Sequence, residues 1–188
     1  MRFHRSRTDP DVPLVLSFSD PTATSSVTPI HPVVSNTTPL ITLGEIGLLD
    51  VLRELYGTVW IPPSVFAEYQ RGRAGHTKQP DLQALSWVLV EPASLDPFVL
   101  PASLDAGERD AILLALAKRA SRILLDERHA RAVAARLHLH VTGSVGVLLA
   151  AKQTAIIPHV KPYLEQIVAQ GRHISSRLYD QILKQAGE

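Results

Sequence analysis

From Val33 onward, short runs of β-branched and apolar residues alternate with longer segments in which apolar residues recur at the helical period. The runs predict five strands, at residues 32–35, 58–61, 87–90, 123–125 and 139–142. Alternation of strands with helices is typical of βαβ units, whose strands are parallel and lie between layers of helices. The sequence therefore predicts an α/β fold with three α/β/α layers around a five-stranded, mainly parallel sheet.

The segments between these strands predict the helices. A helical pair is expected over about residues 38–55, interrupted near Gly47, followed by a helix that begins at Pro63, where proline suits a first turn. A weaker segment surrounds Leu82, and the longest helix is expected over residues 105–119. Further helices are predicted over residues 128–137, 144–152, 158–170 and 175–186.

Residues 1–32 differ in composition from the rest of the chain. They are rich in Ser, Thr and Pro and have no sustained periodicity, which predicts a disordered N-terminal extension. The whole chain has 188 residues, of which 45% are hydrophobic. Residues 33–188 are therefore sufficient for one domain with a full core.

Four oxygen-bearing side chains lie near the ends of predicted strands. Asn36 follows the first strand and Asp126 the fourth, while Glu108 opens the helix before the fourth strand and Glu68 lies in the helix after the second. In a parallel sheet, ligands bind beyond the carboxyl ends of the strands, where the first and fourth strands are expected to be neighbours. The chain has no cysteine, so a bound metal must be held by oxygen or imidazole. This pattern predicts a site for Mg²⁺ or Mn²⁺.

Each of these residues also has a purely structural interpretation. Asp105 and Glu108 have the spacing of a capping box, and Asp126 can cap the helix that follows it. Glu68 can be a solvated helix residue, and Asn36 can cap the helix after the first strand. Taken one at a time, the local patterns leave these alternatives open.

Net charge does not indicate a partner, since 19 Lys and Arg residues balance 18 Asp and Glu residues. The densest basic stretch flanks Asp126 and contains Lys118, Arg119, Arg122, Arg128, Arg131 and Arg136. This stretch is either an ordinary solvated helix surface or a means of neutralising phosphates beside the metal. No apolar run approaches the roughly 20 residues that span a bilayer, which predicts a soluble, cytoplasmic protein without a membrane partner.

From about residue 33 to 188, the chain resembles the PIN-domain family, and more narrowly its branch of small predicted nucleases akin to VapC toxins. The matching stretches are residues 34–41 (VSNTTPLI), 61–68 (IPPSVFAE), 104–108 (LDAGE), 124–128 (LLDER) and 141–152 (VTGSVGVLLAAK).

The resemblance implies a metal-dependent endoribonuclease with Glu68, Glu108 and Asp126 as ligands of Mg²⁺ or Mn²⁺. Asn36 takes the first acidic position, where the family usually has aspartate, so the site has one negative charge fewer and should bind metal less tightly. Asp110 is a rival of Glu108 for the third acidic position.

The resemblance also implies a single-stranded RNA substrate, with Thr37, Arg128 and Arg131 as candidate nucleic-acid contacts. Two functions follow as hypotheses. The first is a catalytic ribonuclease, including the case of a toxin with an antitoxin partner, and the second is an inactive PIN-like module that binds RNA or protein. A homodimer is expected by analogy, and the C-terminal helical pair provides either core or a dimer surface through Leu178, Tyr179, Ile182 and Leu183.

Overall fold

Five short strands form one wholly parallel sheet in the computed structural model, which describes residues 32–73, 79–94 and 100–188. The strands are β1 (Val33–Ser35), β2 (Val59–Ile61), β3 (Val88–Val90), β4 (Arg122–Leu124) and β5 (Val141–Thr142). Their order across the sheet is β3-β2-β1-β4-β5, so β1 lies in the centre beside β4. The predicted parallel sheet and the predicted pairing of the first and fourth strands are confirmed.

Eight α-helices connect and flank these strands in the described residues. They are α1 (Thr37–Glu45), α2 (Val51–Tyr56), α3 (Pro63–Arg73), α4 (Ala106–Ala117), α5 (Arg128–Arg136), α6 (Ser144–Gln153), α7 (Lys161–Ala169) and α8 (Ser176–Ala186). The weaker segment near Leu82 is a single 3₁₀ turn, Leu82–Ala84. Gly47 has a φ of +72°, a backbone conformation that glycine adopts without strain, and the break between α1 and α2 lies there.

Alternation of side chains along the central strands divides the core between the two faces of the sheet. Val33 and Leu124 pack with one apolar cluster, to which α1, α2, α3, α6, α7 and α8 contribute. Val34 and Ile123 pack with the other, to which α4 and α5 contribute. Successive residues of a strand point to opposite faces, so every central strand is covered by helices on both sides. The predicted α/β/α layering is confirmed.

The predicted N-terminal extension, residues 1–32, falls almost entirely outside the described residues and stays a prediction. At the other end of the domain, Ile182 is buried in the core, and Tyr179 and Leu183 pack against it. Leu178 on the same helix is exposed. None of the described helices is long and apolar enough to cross a membrane.

The side chain of Glu188 holds the start of α7. Its two carboxylate oxygens accept hydrogen bonds from the backbone N–H groups of Val160 (2.7 Å) and Lys161 (3.0 Å). Burial by itself raises the pKa of Glu188, but the hydrogen bonds from Lys161 and Val160 and the nearby charges of Lys152 and His159 lower it overall. The carboxylate therefore supplies the cap that a helix N-terminus needs.

Replacing Glu188 by glutamine should lower the free energy of unfolding by about 1 kcal/mol at neutral pH, because the amide is a weaker and uncharged acceptor. The folded-state pKa is lowered, so this stabilisation is present above the unfolded value near 4.5 and is lost as the pH falls through the folded value. Urea titrations of both proteins at several pH values measure it, with Glu165→Gln on α7 as the control. If the free energies of unfolding of the wild type and Glu188→Gln differed by the same amount at neutral and at strongly acid pH, Glu188 would not be the charged cap of α7.

Candidate metal centre

Asn36 occupies the junction between the central strand and the first helix. Its backbone N–H donates to Leu124 O (3.0 Å), which continues the pairing of β1 with β4. Asn36 stands at the N-cap position of α1, but its side chain makes no capping hydrogen bond. The residue is only 4% exposed, and its Oδ1 is buried without a hydrogen-bond partner in the described part of the chain. Buried carbonyl oxygens are normally satisfied, so this atom is suited to a ligand.

Glu68 lies in the second turn of α3, where its side chain is directed by the residue after Asn36. Thr37 Oγ1 donates a hydrogen bond of 2.5 Å to Glu68 Oε2. Thr37 is buried, whereas Glu68 is exposed, so the fixed hydroxyl restrains a carboxylate that solvent can reach. Thr37, predicted as a nucleic-acid contact, therefore acts on Glu68 in this structure.

The oxygens of Asn36, Glu68 and Asp105 converge on Gly107, at the start of α4. A Cβ atom built on Gly107 would lie 3.0 Å from Glu68 Oε2, 3.1 Å from Asn36 Oδ1 and 3.4 Å from Asp105 Oδ1. We call this arrangement the Gly107 cradle. Because glycine has no side chain, Gly107 does not fill the space between these three oxygens.

Glu108 and Asp105 form the capping box that their spacing predicts. Glu108 N donates to Asp105 Oδ1 (2.7 Å), and Asp105 N donates to Glu108 Oε2 (3.2 Å). Burial raises the pKa of Glu108, and the negative charges of Asp105 and Glu127 raise it further, against the hydrogen bond from Asp105 N and the charge of His129. A cation would relieve this accumulation of negative charge. The capping box is therefore present, and it leaves the carboxylate of Glu108 close to the acidic groups of Asp105 and Glu127.

Asp126 does not cap the helix that follows it. Its Oδ1 accepts from Ser144 N (2.7 Å) and its Oδ2 from Ser144 Oγ (2.5 Å), at the start of α6. The N-cap of α6 is Gly143, which has no side chain to do this. A Cβ on Gly143 would approach Asp126 Oδ1 to 2.7 Å and Arg131 Nη1 to 2.8 Å. Glycine is thus required here for Asp126 to reach the helix start.

The four predicted metal ligands occupy one edge of the sheet in two groups. Asn36 and Glu68 meet at the Gly107 cradle with Glu108 one residue away, whereas Asp126 is bound to Ser144. In residues 32–73, 79–94 and 100–188, no three His, Asp or Glu side chains form a group that would hold one metal ion.

Strand register explains this division. Ser35 pairs with Leu124, so Asn36 is level with Leu125 and faces the cluster that includes α4. Asp126, one residue further, is directed towards α6 on the opposite face.

Two arginines predicted as nucleic-acid contacts lie beside Asp126. Arg131 Nη1 donates to Leu125 O (2.8 Å), while Arg128 begins α5 and is exposed. The sequence did not predict the roles of Gly107 and Gly143. The one available signal was a glycine inside or next to a helix start, which usually has a packing or functional reason.

The Gly107 cradle fits a hard divalent cation. Its three facing atoms are one amide and two carboxylate oxygens, the ligand type that Mg²⁺ and Mn²⁺ prefer. One of them, Asn36 Oδ1, has no partner within the described residues.

A comparison with family models matches residues 32–188, which include the whole of the predicted domain, to a family described as DUF3368: PIN domain. No curated protein matches the chain.

Proposed function

The chain belongs to the PIN-domain family, and from this membership we propose that it is an endoribonuclease that depends on Mg²⁺ or Mn²⁺ and cuts single-stranded RNA. PIN domains are generally nucleases. One observation carries the proposal for this chain in particular: Asn36 Oδ1 is buried, has no hydrogen-bond partner among the residues that the structure describes, and faces Glu68 across Gly107.

In this proposal, Asn36, Glu68 and Asp105 hold the cation at the Gly107 cradle, and the other two predicted ligands, Glu108 and Asp126, contribute negative charge from the same edge of the sheet. When bound, such an ion supplies charge neutralisation at the phosphodiester and activation of a water molecule. The protein's own contribution is orientation. Thr37 fixes the carboxylate of Glu68 through its hydroxyl group. Residues that orient metal ligands in this way typically affect metal affinity or activity by 10- to 100-fold.

Ser144 gives Asp126 the same kind of support, with two hydrogen bonds from one residue. Arg131 donates a hydrogen bond to the carbonyl group of Leu125 beside Asp126, and in this proposal it neutralises a phosphate of the RNA. Arg128, exposed in the first turn of α5, can follow the RNA backbone. These residues bind and position the RNA chain next to the acidic groups.

Cleavage of a single-stranded RNA oligonucleotide should require Mn²⁺ or Mg²⁺, because a cation bound by these oxygens would offset the repulsion between the carboxylates and the phosphodiester and would activate the attacking water molecule. Denaturing electrophoresis with and without EDTA measures this, and excess Mn²⁺ should restore the cleavage. Cleavage that continues unchanged in EDTA would refute the metal dependence. Absence of cleavage at every metal concentration, across RNAs of varied sequence, would refute the activity.

A second candidate is a PIN-like module that binds RNA or protein without catalysis. It is favoured by Asn36, which has no negative charge where the family usually has aspartate. It is also favoured because no three acidic or histidine side chains in the described part of the chain form a group that would hold a metal ion. The two candidates differ in whether the cradle binds a cation at all. Metal binding therefore separates them before any substrate is known.

The resemblance to VapC toxins extends the proposal to the toxin of a toxin–antitoxin pair, with a small antitoxin as partner. A short antitoxin-like reading frame beside the gene would support this extension. A homodimer belongs to the same proposal, and the exposed Val168 on α7 is an apolar residue that such an interface would cover. Sedimentation velocity measures the oligomeric state, and a monomer at high concentration would contradict it.

A further inference from the structure

A groove of about 790 Å³ begins beside Asp126 and extends away from the Gly107 cradle. Its floor includes Arg122 of β4 and Thr142 of β5, and its walls come from α6, α8 and the segment between α7 and α8. Arg122 opens β4, whereas Asp126 lies beyond its end, so the groove runs along this strand. Its volume lies in the range of pockets that bind small organic ligands.

Two half-buried arginines, Arg122 and Arg131, line this groove. Arg122 is half-buried, donates a hydrogen bond to Thr142 Oγ1 and lies 6.0 Å from the centre of the Tyr56 ring. Arg131, also half-buried, donates to the carbonyl of Leu125. Neither guanidinium belongs to an ion pair formed within residues 32–73, 79–94 and 100–188. Asp126 lies beside Arg131 at one end of the groove, whereas Arg122 has no ion pair among the described residues, and a half-buried positive charge favours an anionic group there.

Part of the lining of the groove is apolar. Leu149 of α6, Ile174 before α8 and Leu178 of α8 line it, and Leu178 is 40% exposed. An aliphatic surface in the same groove as these two arginines matches a ligand that has an anionic group and a flat apolar group joined by a short link. A nucleotide has this combination, a phosphate and a base.

We propose that this groove binds one unstacked nucleotide of a single-stranded RNA, with phosphates at Arg122 and Arg131 and the base against Leu149 and Leu178. The proposal rests on the proposed function for the identity of the polymer. It deepens that function because it explains a preference for single strands. In an RNA duplex the bases are stacked and paired, so none is available to enter the groove.

Fluorescence anisotropy with a short labelled RNA in EDTA tests the groove without metal and without cleavage. Arg122→Gln and Leu178→Glu should each weaken binding of the single strand about five- to tenfold. Arg122→Gln removes a phosphate contact, and Leu178→Glu removes the apolar contact to the base and adds a negative charge that repels the phosphates. Arg122→Gln should also reduce the slope of log affinity against log salt by about 0.7. Arg136→Gln is the matched control, since it removes one exposed charge from α5 outside the groove.

The proposal is overturned if Arg122→Gln and Leu178→Glu bind the single strand as Arg136→Gln does. It is also overturned if a duplex of the same sequence binds equally well and loses the same affinity in these variants. Leu178 is exposed, so Leu178→Glu keeps the test valid even if Arg122→Gln does not fold. If these variants lost RNA binding but the wild type showed no metal-dependent cleavage, the groove would be supported as a nucleotide site and the nuclease activity would be refuted.

Discussion

Replacing Gly107 by alanine should reduce metal-dependent RNA cleavage about 100-fold while the protein stays folded. The new methyl group would lie 3.0 Å from Glu68 Oε2 and 3.1 Å from Asn36 Oδ1, closer than such atoms normally approach. Glu68 is exposed and can move aside, but Asn36 is buried. These oxygens need to move by only a few tenths of an ångström, but the methyl group would fill the space between them in which the cation would lie, and misplacement of catalytic groups causes losses of about this size. Initial cleavage rates at saturating Mn²⁺ measure it.

The free energy of unfolding of Gly107→Ala should stay close to that of the wild type although the cleavage rate falls. Alanine in a helix is favoured over glycine by about 0.5–1 kcal/mol, which offsets the crowding at the cradle. Gly44→Ala in α1 is the matched control, because the nearest atoms to its Cβ would lie at ordinary contact distances of 3.6 Å and more. That variant should retain wild-type cleavage. Full activity of Gly107→Ala would show that the cradle is not the metal site.

Replacing Asp126 by asparagine should lower cleavage by about 100-fold or more, beyond the effect of removing a supporting residue. Asparagine keeps the shape and can still accept the hydrogen bond from Ser144 N, but it brings no negative charge. The free energy of unfolding should therefore change little. Rates measured alongside urea titrations separate the two effects.

Ser144→Ala provides the graded comparison. It removes the hydroxyl that donates to Asp126 Oδ2 and leaves the charge, so we expect a loss of about 10-fold. Asp110→Asn tests the rival for the third acidic position, and cleavage should survive it. If Asp110→Asn lost as much cleavage activity as Asp126→Asn, Asp110 rather than Glu108 would be the acidic residue that α4 contributes to the site.

The fold was predictable from the sequence because its signals are local and repeated. The long apolar stretch of α4 is buried from Ala111 to Ala115, as a helix that is apolar nearly all round requires. Gly47 and Pro63 marked a helix break and a helix start. The boundaries were less exact, since α7 begins at Lys161 rather than at residue 158.

The candidate site was predictable as a set of residues but not as an arrangement. Asp126 was expected to be able to cap the adjacent helix, and it caps α6 instead, 18 residues further along the chain. Sequence spacing does not reveal such a contact, because strand register and the turn after β5 decide it. Asn36 was open to a capping role, and only the structure shows that its side chain makes no cap.

The central claim is that an amide and neighbouring carboxylates hold a divalent cation, and calorimetric titration with Mn²⁺ tests it most directly. The wild type should bind Mn²⁺ at millimolar concentration or below. Asn36→Asp should bind more tightly by about 1 kcal/mol or more, because it restores a charge in a partly desolvated site. Glu68→Gln should bind more weakly. No detectable binding at millimolar Mn²⁺ in either the wild type or Asn36→Asp would contradict the account and leave a PIN-like binding module.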